Sequence, residues 1–357
     1  MEAGAGGQGQ VSPLRRHNHF PPVGHAKGNM KITRVKDGFR AIVPCKVNLA
    51  LKVLGRRSDG FHELETIMMA VGLCDELTFR PDFSGELRLQ LAFVDGRPLA
   101  PNDPAWEVPG DNSNLVIRAL ANIAKELGGK NLGGDIQLLK SIPSMAGLGG
   151  GSADAAAAIL LGALGCLGDQ LSWPNHFPAC QQIAAKLGSD INFFLEGHTP
   201  SDSWLAYCRG RGEQITPIDA NLDCWLVLVH PPIGCSTKEV FRRLRIEESS
   251  QRQVVDVLES IKSLRTDRVA SAMFNDLESP AREVTPYIER SRNWIDRYDH
   301  LGQCMSGSGS ARFCLCDSLE QAEKIANGIR SNGARAYVVR PWIQPSLQRQ
   351  FEAMCSP

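Results

Sequence analysis

The amino-acid sequence predicts an α+β protein of two domains, each with strands ahead of helices. Three observations carry that expectation. The chain has 357 residues, 43% hydrophobic and 22% charged, which is enough apolar material for one large or two medium cores. Each half opens on β-type runs and closes on helical ones, unlike a regular βαβ alternation. Around residues 197–220 polar and glycine-bearing residues accumulate before an apolar strand restarts. This divides the chain into a domain at 31–200 and a second at 201–345, with a polar, disordered tail at 1–30 and a short tail at 346–357.

The elements follow in order. "KITRV" and "FRAIVPCKVNLALKVLG" read as strands, the second ending in the turn-rich "RRSDGFH". "ELETIMMAVGL", "DELTFRP" and "GELRLQLAFVDG" continue the apolar–polar alternation, and the Pro- and Asp-rich 95–113 reads as a surface insertion. "NSNLVIRALANIAKELGG" carries apolar residues at helical spacing and stops at glycine, ahead of a strand at "GDIQLLKSI". "FPACQQIAAKLG" is a helix closed by Gly188, and "SDINFFLEG" a loop entering a buried strand. The second domain has a strand at "CWLVLVHPP", helices near 237–246, 251–265 and 282–297, a glycine hairpin at "CMSGSGSARFCLC", a helix at 318–331 and a last strand "ARAYVVRP".

Composition narrows the partners. Lysine plus arginine equals aspartate plus glutamate, 39 each, so neither nucleic acid nor an anionic membrane is expected as a partner, and a small molecule is. The 11 cysteines include no CxxC pair, which fits neither a disulfide framework nor a zinc site and points to a reducing, cytoplasmic setting. The first residues lack the apolar centre of a secretory signal. Arg15 and Arg16 leave a plastid-type transit peptide as the lesser alternative, and Met30 is a candidate second start.

Between a strand and an alanine-rich helix stands "IPSMAGLGGGSADAAAA". Successive glycines let backbone N–H groups converge, and a helix start adds unpaired donors with partial positive charge. An anion fits such a place. Ser152 suits the helix N-cap and also offers a hydroxyl to a phosphate or its metal ion. Alone, the cluster would serve equally as a tight strand-to-helix connection. No Lys-Ser or Lys-Thr follows the glycines as a Walker loop requires, and no acidic residue ends a second strand as a dinucleotide fold requires.

Pro143 followed by Gly-Leu-Gly-Gly-Gly-Ser resembles the nucleotide loop of the GHMP kinase superfamily. "PCKVNLALKVLGRRSDGFHELETIM" further resembles the opening of the 4-diphosphocytidyl-2-C-methyl-D-erythritol kinases. "DNSNLVIRA", "LGSDINFFLEG", "RGEQITPI", "STKEVF", "FNDLESPA" and "MSGSGSARF" fall in that family's order, so the likeness runs from about Ile42 to Val339. The resemblance implies the two-domain GHMP kinase fold, with a ribosomal-protein-S5-like N-terminal domain, a ferredoxin-like C-terminal domain and the active site in the cleft between them. It implies transfer of the γ-phosphate of ATP, with Mg²⁺, to the 2-hydroxyl of 4-diphosphocytidyl-2-C-methyl-D-erythritol in the non-mevalonate isoprenoid route. The protein would act as a monomer or homodimer.

The residue roles implied are these. Asp190 takes the acceptor hydroxyl's proton and Lys46 favours the developing alkoxide. Pro143, Ala146, Gly147, Leu148, Gly149, Gly150, Gly151 and Ser152 form the ATP loop. Phe61 and Phe241 sandwich the cytosine, His62 reads its edge, Asn48 meets the substrate's polar atoms, and Gly307 and Gly309 approach the diphosphate. Asp154 is the rival base, a helix-dipole partner, or a magnesium ligand through water beside Ser152. The chain departs from the family at Met145, usually glycine, at Ser189, usually alanine, at Asn192, usually proline, and at Phe61, usually tyrosine. Competing readings are another small-alcohol kinase of the mevalonate or homoserine type, and a catalytically inactive nucleotide-binding regulator.

Overall fold

A computed structural model describes residues 32–94, 107–128, 131–246 and 251–343, with Pro345 and Gln350. The tail at 1–30 with the start at Met30, the tail at 346–357 apart from Gln350, and most of the 95–113 insertion lie outside the described residues.

The first sheet is built on a long antiparallel hairpin, β2 (Gly38–Arg56) and β3 (His62–Asp82), with β1 (Thr33–Val35) on the outer side of β2. The sequence suggested two runs at 63–73 and 75–81; they form one strand, because a register shift opposite Pro44/Cys45 absorbs the break in alternation without ending the ladder. A second shift at Asn48/Ala50 explains why "AIVPCKVNLAL" alternates imperfectly. Beyond β3 lie β5 (Gly133–Lys140) and then β4 (Leu87–Phe93), which runs parallel to β5. A parallel pair needs a crossover connection, and α1 (Leu115–Glu126) supplies it, its Asn114 cap accepting from the Val116 N–H.

After β5 comes α2 (Gly150–Leu167), buried over almost its whole circumference. By length and composition this helix passes for a membrane span, yet most of it is enclosed by protein. Its alanines let it pack against α1, α3 (Trp173–Leu187) and the β2–β3 hairpin within one core. The segment 189–197, expected as a loop entering a strand, is instead a turn and α4 (Ile191–Glu196). Short apolar runs do not separate a buried strand from a buried helix by periodicity. Here Ile191, Phe193, Phe194 and Leu195 are all buried.

β6 (Leu205–Gly210) and β7 (Gln214–Pro217) return to pair with the other half of β3. Residues 205–217 thus belong to the first sheet, although they follow the division expected at 200. The second sheet has four antiparallel strands, β8 (Trp225–His230), β10 (Gly302–Met305), β11 (Arg312–Cys316) and β12 (Arg335–Val339), in the order β10-β11-β8-β12. That is the split arrangement of a ferredoxin-like domain. Helix α5 (Thr237–Arg243) follows β8, capped by Ser236, and α6 (Val254–Lys262) and α7 (Thr266–Ala272) follow it. The two-residue β9 (Phe274–Asn275) crosses back to pair with β2. The helix expected at 282–297 is broken: α8 (Glu278–Val284) stops and α9 (Tyr287–Ile295) restarts after Pro286, whose ring has no N–H to give. Finally α10 (Leu319–Arg330) carries the capping bond from Ser318.

The two sheets share one core. Val47, Leu49, Ile67 and Met69 of the hairpin pack in the same cluster as Leu226, Leu228, Phe313 and Leu315 of the second sheet. This shared layer fixes the hairpin against the C-terminal half and so fixes the cleft at their junction.

Candidate active site

Side chains alternate faces along a strand. With Cys45, Val47 and Leu49 turned into the shared core, Lys46 and Asn48 face the cleft. Lys46 is only 3% exposed, and its Nζ donates to Asn48 Oδ1 at 2.7 Å. The Asn48 Nδ2 donates to Thr66 Oγ1 at 2.8 Å, and that hydroxyl donates to the Ala50 carbonyl at 2.6 Å. The Gly307 N–H donates to the same Asn48 Oδ1 at 2.9 Å. These bonds settle which way the amide faces, and with it where the ammonium sits.

Asp190 arrives from the opposite wall. Its Oδ2 lies 3.3 Å from Lys46 Nζ, and its side chain is 27% exposed. It stands immediately before α4 but makes no capping bond, so the ordinary cap role does not claim it. The β6–β7 turn runs alongside, where a Cβ on Gly212 would come within 3.5 Å of Asp190 Oδ1.

The glycine loop lies between this pair and the segment Met305–Ala311. Ala146 and Leu148 turn inward, while Gly147, Gly149 and Gly151 stay on the accessible side. Gly147 and Gly149 have φ of 74° and 72°, and both are crowded as well. A Cβ on Gly147 would stand 2.1 Å from the Ser306 carbonyl oxygen, and one on Gly149 would stand 3.0 Å from Lys46 Cγ. The Lys46 N–H donates to Leu148 O at 2.9 Å, the Ser306 hydroxyl to Gly147 O at 2.9 Å and the Ala311 N–H to Ala146 O at 3.0 Å. The loop is therefore sewn to both halves of the molecule. Gly149, in the left-handed region, caps α2. Ser152, suggested as the cap by sequence, instead sits in the first turn, where N–H groups have no intrahelical partner and favour anions.

Met145 at the loop's entry has φ 52° and is 47% exposed, so its bulk points outward and its strain is in the backbone. A left-handed residue with a Cβ costs about 1–2 kcal/mol, of which the looser unfolded chain of a glycine variant takes back part. Met145→Gly is expected to stabilise the fold by about 0.5–1 kcal/mol in urea denaturation.

The pyrimidine-reading residues of the resemblance stand at the hairpin tip and on α5. The Phe61 N–H donates to Asp59 Oδ1 at 3.1 Å, a bond that, with Arg57 beside it, holds the Asp59 carboxyl below its usual range. Phe61 is half exposed, and the Arg211 guanidinium lies 4.8 Å from its ring centroid. His62 stacks on Phe241 at 4.8 Å. Desolvation, then the nearby Arg56 charge, lowers the His62 pKa, which keeps the imidazole neutral near pH 7. Gly307 reaches the cleft, whereas Gly309 packs behind it against Met305 and Ile288.

Asp154 is not brought to this place. It is buried, and its Oδ2 accepts from Lys140 Nζ at 2.6 Å, in a cluster with Asp75. Desolvation, with the neighbouring Asp75 carboxyl, raises its pKa against the pull of the Lys140 charge.

The cleft has a volume of about 910 Å³, the size of a small-molecule site. Among the described residues its lining includes Lys46, Arg56, Arg211, Lys238 and Arg242 against a single acid, Asp190. Such a balance concentrates polyanions. The residues that sequence reasoning missed are Arg56, Arg211, Lys238 and Arg242, together with Thr237, whose hydroxyl pairs with Ser308 Oγ at 2.7 Å. Two of the quoted segments, "RGEQITPI" and "STKEVF", contain Arg211, Thr237 and Lys238, and only Phe241 in them was given a role.

Comparison with known proteins bears on the family and the fold. The GHMP kinases N terminal domain matches residues 114–198 and the GHMP kinases C terminal domain residues 257–335. A 4-diphosphocytidyl-2-C-methyl-D-erythritol kinase of Listeria welshimeri is 33% identical over 84% of this chain and 94% of its own. One of Pelotomaculum thermopropionicum is 36% identical over 84% and 96%. A crystal structure of 4-(cytidine 5'-diphospho)-2C-methyl-D-erythritol kinase superposes with TM-score 0.65 at 31% identity, covering 85% of this chain and 99% of that one. A homoserine kinase of Cytophaga hutchinsonii, at 19% identity and TM-score 0.63, shares the fold. Identity of about a third along nearly the whole length of these relatives, together with both GHMP domains, means that this chain belongs to the 4-diphosphocytidyl-2-C-methyl-D-erythritol kinase family of GHMP kinases.

Proposed function

We propose that the chain transfers the γ-phosphate of ATP to the 2-hydroxyl of 4-diphosphocytidyl-2-C-methyl-D-erythritol, giving the 2-phosphate and ADP, in the methylerythritol phosphate route to isoprenoid precursors. Family membership supports the reaction class. The observation that carries the mechanism is the Lys46–Asp190 pair, 3.3 Å apart in a cleft that also contains Gly147 and Gly149.

Phosphoryl transfer asks the protein for positioning and charge neutralisation more than for covalent chemistry. Asp190 takes the proton of the 2-hydroxyl as its oxygen bonds to the γ-phosphorus and the bond to the β-phosphate oxygen breaks, leaving ADP. Lys46 neutralises charge growing on the attacking oxygen. The amides of 147–152 hold the triphosphate, and the cationic lining holds the acceptor's diphosphate where Gly307 reaches the cleft. Phe61 and Phe241 flank the cytosine, while neutral His62 and Asn48 hydrogen-bond its edge and the substrate's polar atoms.

The donors present fit magnesium as an ion shared with the nucleotide. Among the described residues no three acidic, histidine or cysteine side chains converge on one point, and magnesium commonly rests on one or two side-chain oxygens plus phosphates and water. The Ser152 hydroxyl would be such an oxygen. Held there, magnesium would supply neutralisation of phosphate charge during transfer.

A coupled ADP-release assay against cytidylyl-methylerythritol, mevalonate, homoserine and galactose tests the reading. Turnover with the first alone is expected. Turnover with mevalonate or homoserine instead means another small-alcohol kinase, and none with any acceptor means a nucleotide-binding regulator. Phe61→Ala should raise the KM for the cytidylyl acceptor by about tenfold, since stacking on a base is worth roughly 1–3 kcal/mol, and leave the KM for ATP unchanged.

A further inference from the structure

The buried ion cluster beneath the glycine loop has no part in the chemistry above. Asp75, on β3 just past its register shift, spends one carboxylate oxygen on two backbone donors, the Ser141 N–H at 2.6 Å and the Ile142 N–H at 2.9 Å. These are the two residues that leave β5 and enter the loop. Its other oxygen accepts from Lys140 Nζ. The same ammonium donates at 2.6 Å to Asp154 Oδ2, which sits on α2 where the chain leaves the loop. All three side chains are 0–4% exposed. A Cβ on Gly150, the first residue of α2, would come within 3.4 Å of Lys140 Nζ, so the ammonium stands directly under the start of the helix.

Nothing about β5 or α2 as packed elements requires three ionisable side chains here, and buried ions are costly to desolvate. What the cluster does accomplish is geometric. Asp75 clamps the entry of the glycine loop, Asp154 clamps its exit, and Lys140 joins the clamps. Among the described residues the N–H groups of 147–152, between the clamps, have no protein acceptor yet are fixed in place, the arrangement that electrostatic preorganisation calls for.

We propose that Asp75, Lys140 and Asp154 are positioning residues for nucleotide binding, a clamp that holds both ends of the phosphate loop without touching the nucleotide. The proposal rests on the reading that this loop receives the triphosphate of ATP. It assigns Asp154 to loop geometry, away from base and metal roles, and it separates the two substrates: the clamp governs the nucleotide and leaves the acceptor alone.

The test is calorimetric titration of the full chain with MgADP, alongside steady-state KM values for ATP and for the cytidylyl acceptor. In Asp154→Asn the side-chain shape is kept and the acceptor facing Lys140 Nζ is weakened; MgADP affinity and KM for ATP should worsen by about tenfold, with the acceptor KM unchanged. Asp75→Asn should do the same or more. Lys140→Arg should retain more affinity than Lys140→Met, and should Lys140→Met fail to fold, the two asparagine variants decide. Lowered melting temperatures in both asparagine variants with nucleotide affinity equal to wild type would overturn the proposal and make the cluster a stability feature only. An equal rise in both KM values would overturn it too. Wild-type protein that binds no MgADP strikes the functional reading itself, an outcome separate from any ranking of the variants.

Discussion

Asp190→Asn is expected to lower kcat by about 10³-fold while the affinity for MgADP stays at its wild-type value. The choice of asparagine matters. It keeps the shape of the side chain and an oxygen facing Lys46 Nζ, 3.3 Å away in the native pair, and Lys46 Nζ keeps its bond to Asn48 Oδ1, so the buried ammonium is not orphaned and the cleft keeps its form. What is removed is the capacity to hold a proton. A positioned base commonly contributes about 10²–10⁴-fold, and the loss falls on kcat because the base acts on the acceptor only as its oxygen becomes a nucleophile. An aspartate that merely opened α4 would behave differently: its replacement would alter stability slightly and leave turnover alone. Since Asp190 makes no capping bond, that outcome has no structural support, and unaltered kcat in the variant would remove Asp190 from the chemistry.

How much of this was legible in the sequence depended on whether the cause was local. The loop between a strand and a helix was readable because glycines, a preceding strand pattern and an alanine run are contiguous signals. The hairpin at 304–316 and the helix opened by Ser318 were readable for the same reason. The role of 191–196 was not, since a six-residue segment with four apolar residues carries no period long enough to separate helix from strand, and burial of those four decided it. The unbroken β3 was hidden by a bulge, which leaves Gly72 and Leu73 without partners on β2 and mimics an end. Asp154 shows the limit most plainly. Its place in the helix allowed a dipole partner, a base or a metal ligand, and the deciding facts, Lys140 and Asp75, are contributed by two other strands. The Arg211 guanidinium over Phe61 is likewise a contact between distant turns. Motif resemblance could bring Lys46 and Asp190 into one hypothesis, but their approach to 3.3 Å comes from the shared core that holds the hairpin and from the packed phenylalanines of α4.

Lys46→Met should lower kcat by about 10²–10³-fold, with smaller changes in either KM, because a preorganised charge facing a developing oxyanion acts mainly in the transition state. Methionine approximates the length of the lysine stem, so the contact at Gly149 is kept. Asn48 Oδ1, which loses the ammonium, still accepts the Gly307 N–H and is not left bare. The sharper result comes from combining the two substitutions. If the carboxylate and the ammonium act as a unit on one hydroxyl, each single variant already disables most of what the pair does, and adding Asp190→Asn to Lys46→Met should cost far less than the product of the separate losses. Measuring kcat for the four proteins of this cycle checks it. Losses that multiply in full would mean that two residues in contact work on different events, and the assignment of Lys46 to the oxygen that Asp190 deprotonates would fall while each residue's own importance stood.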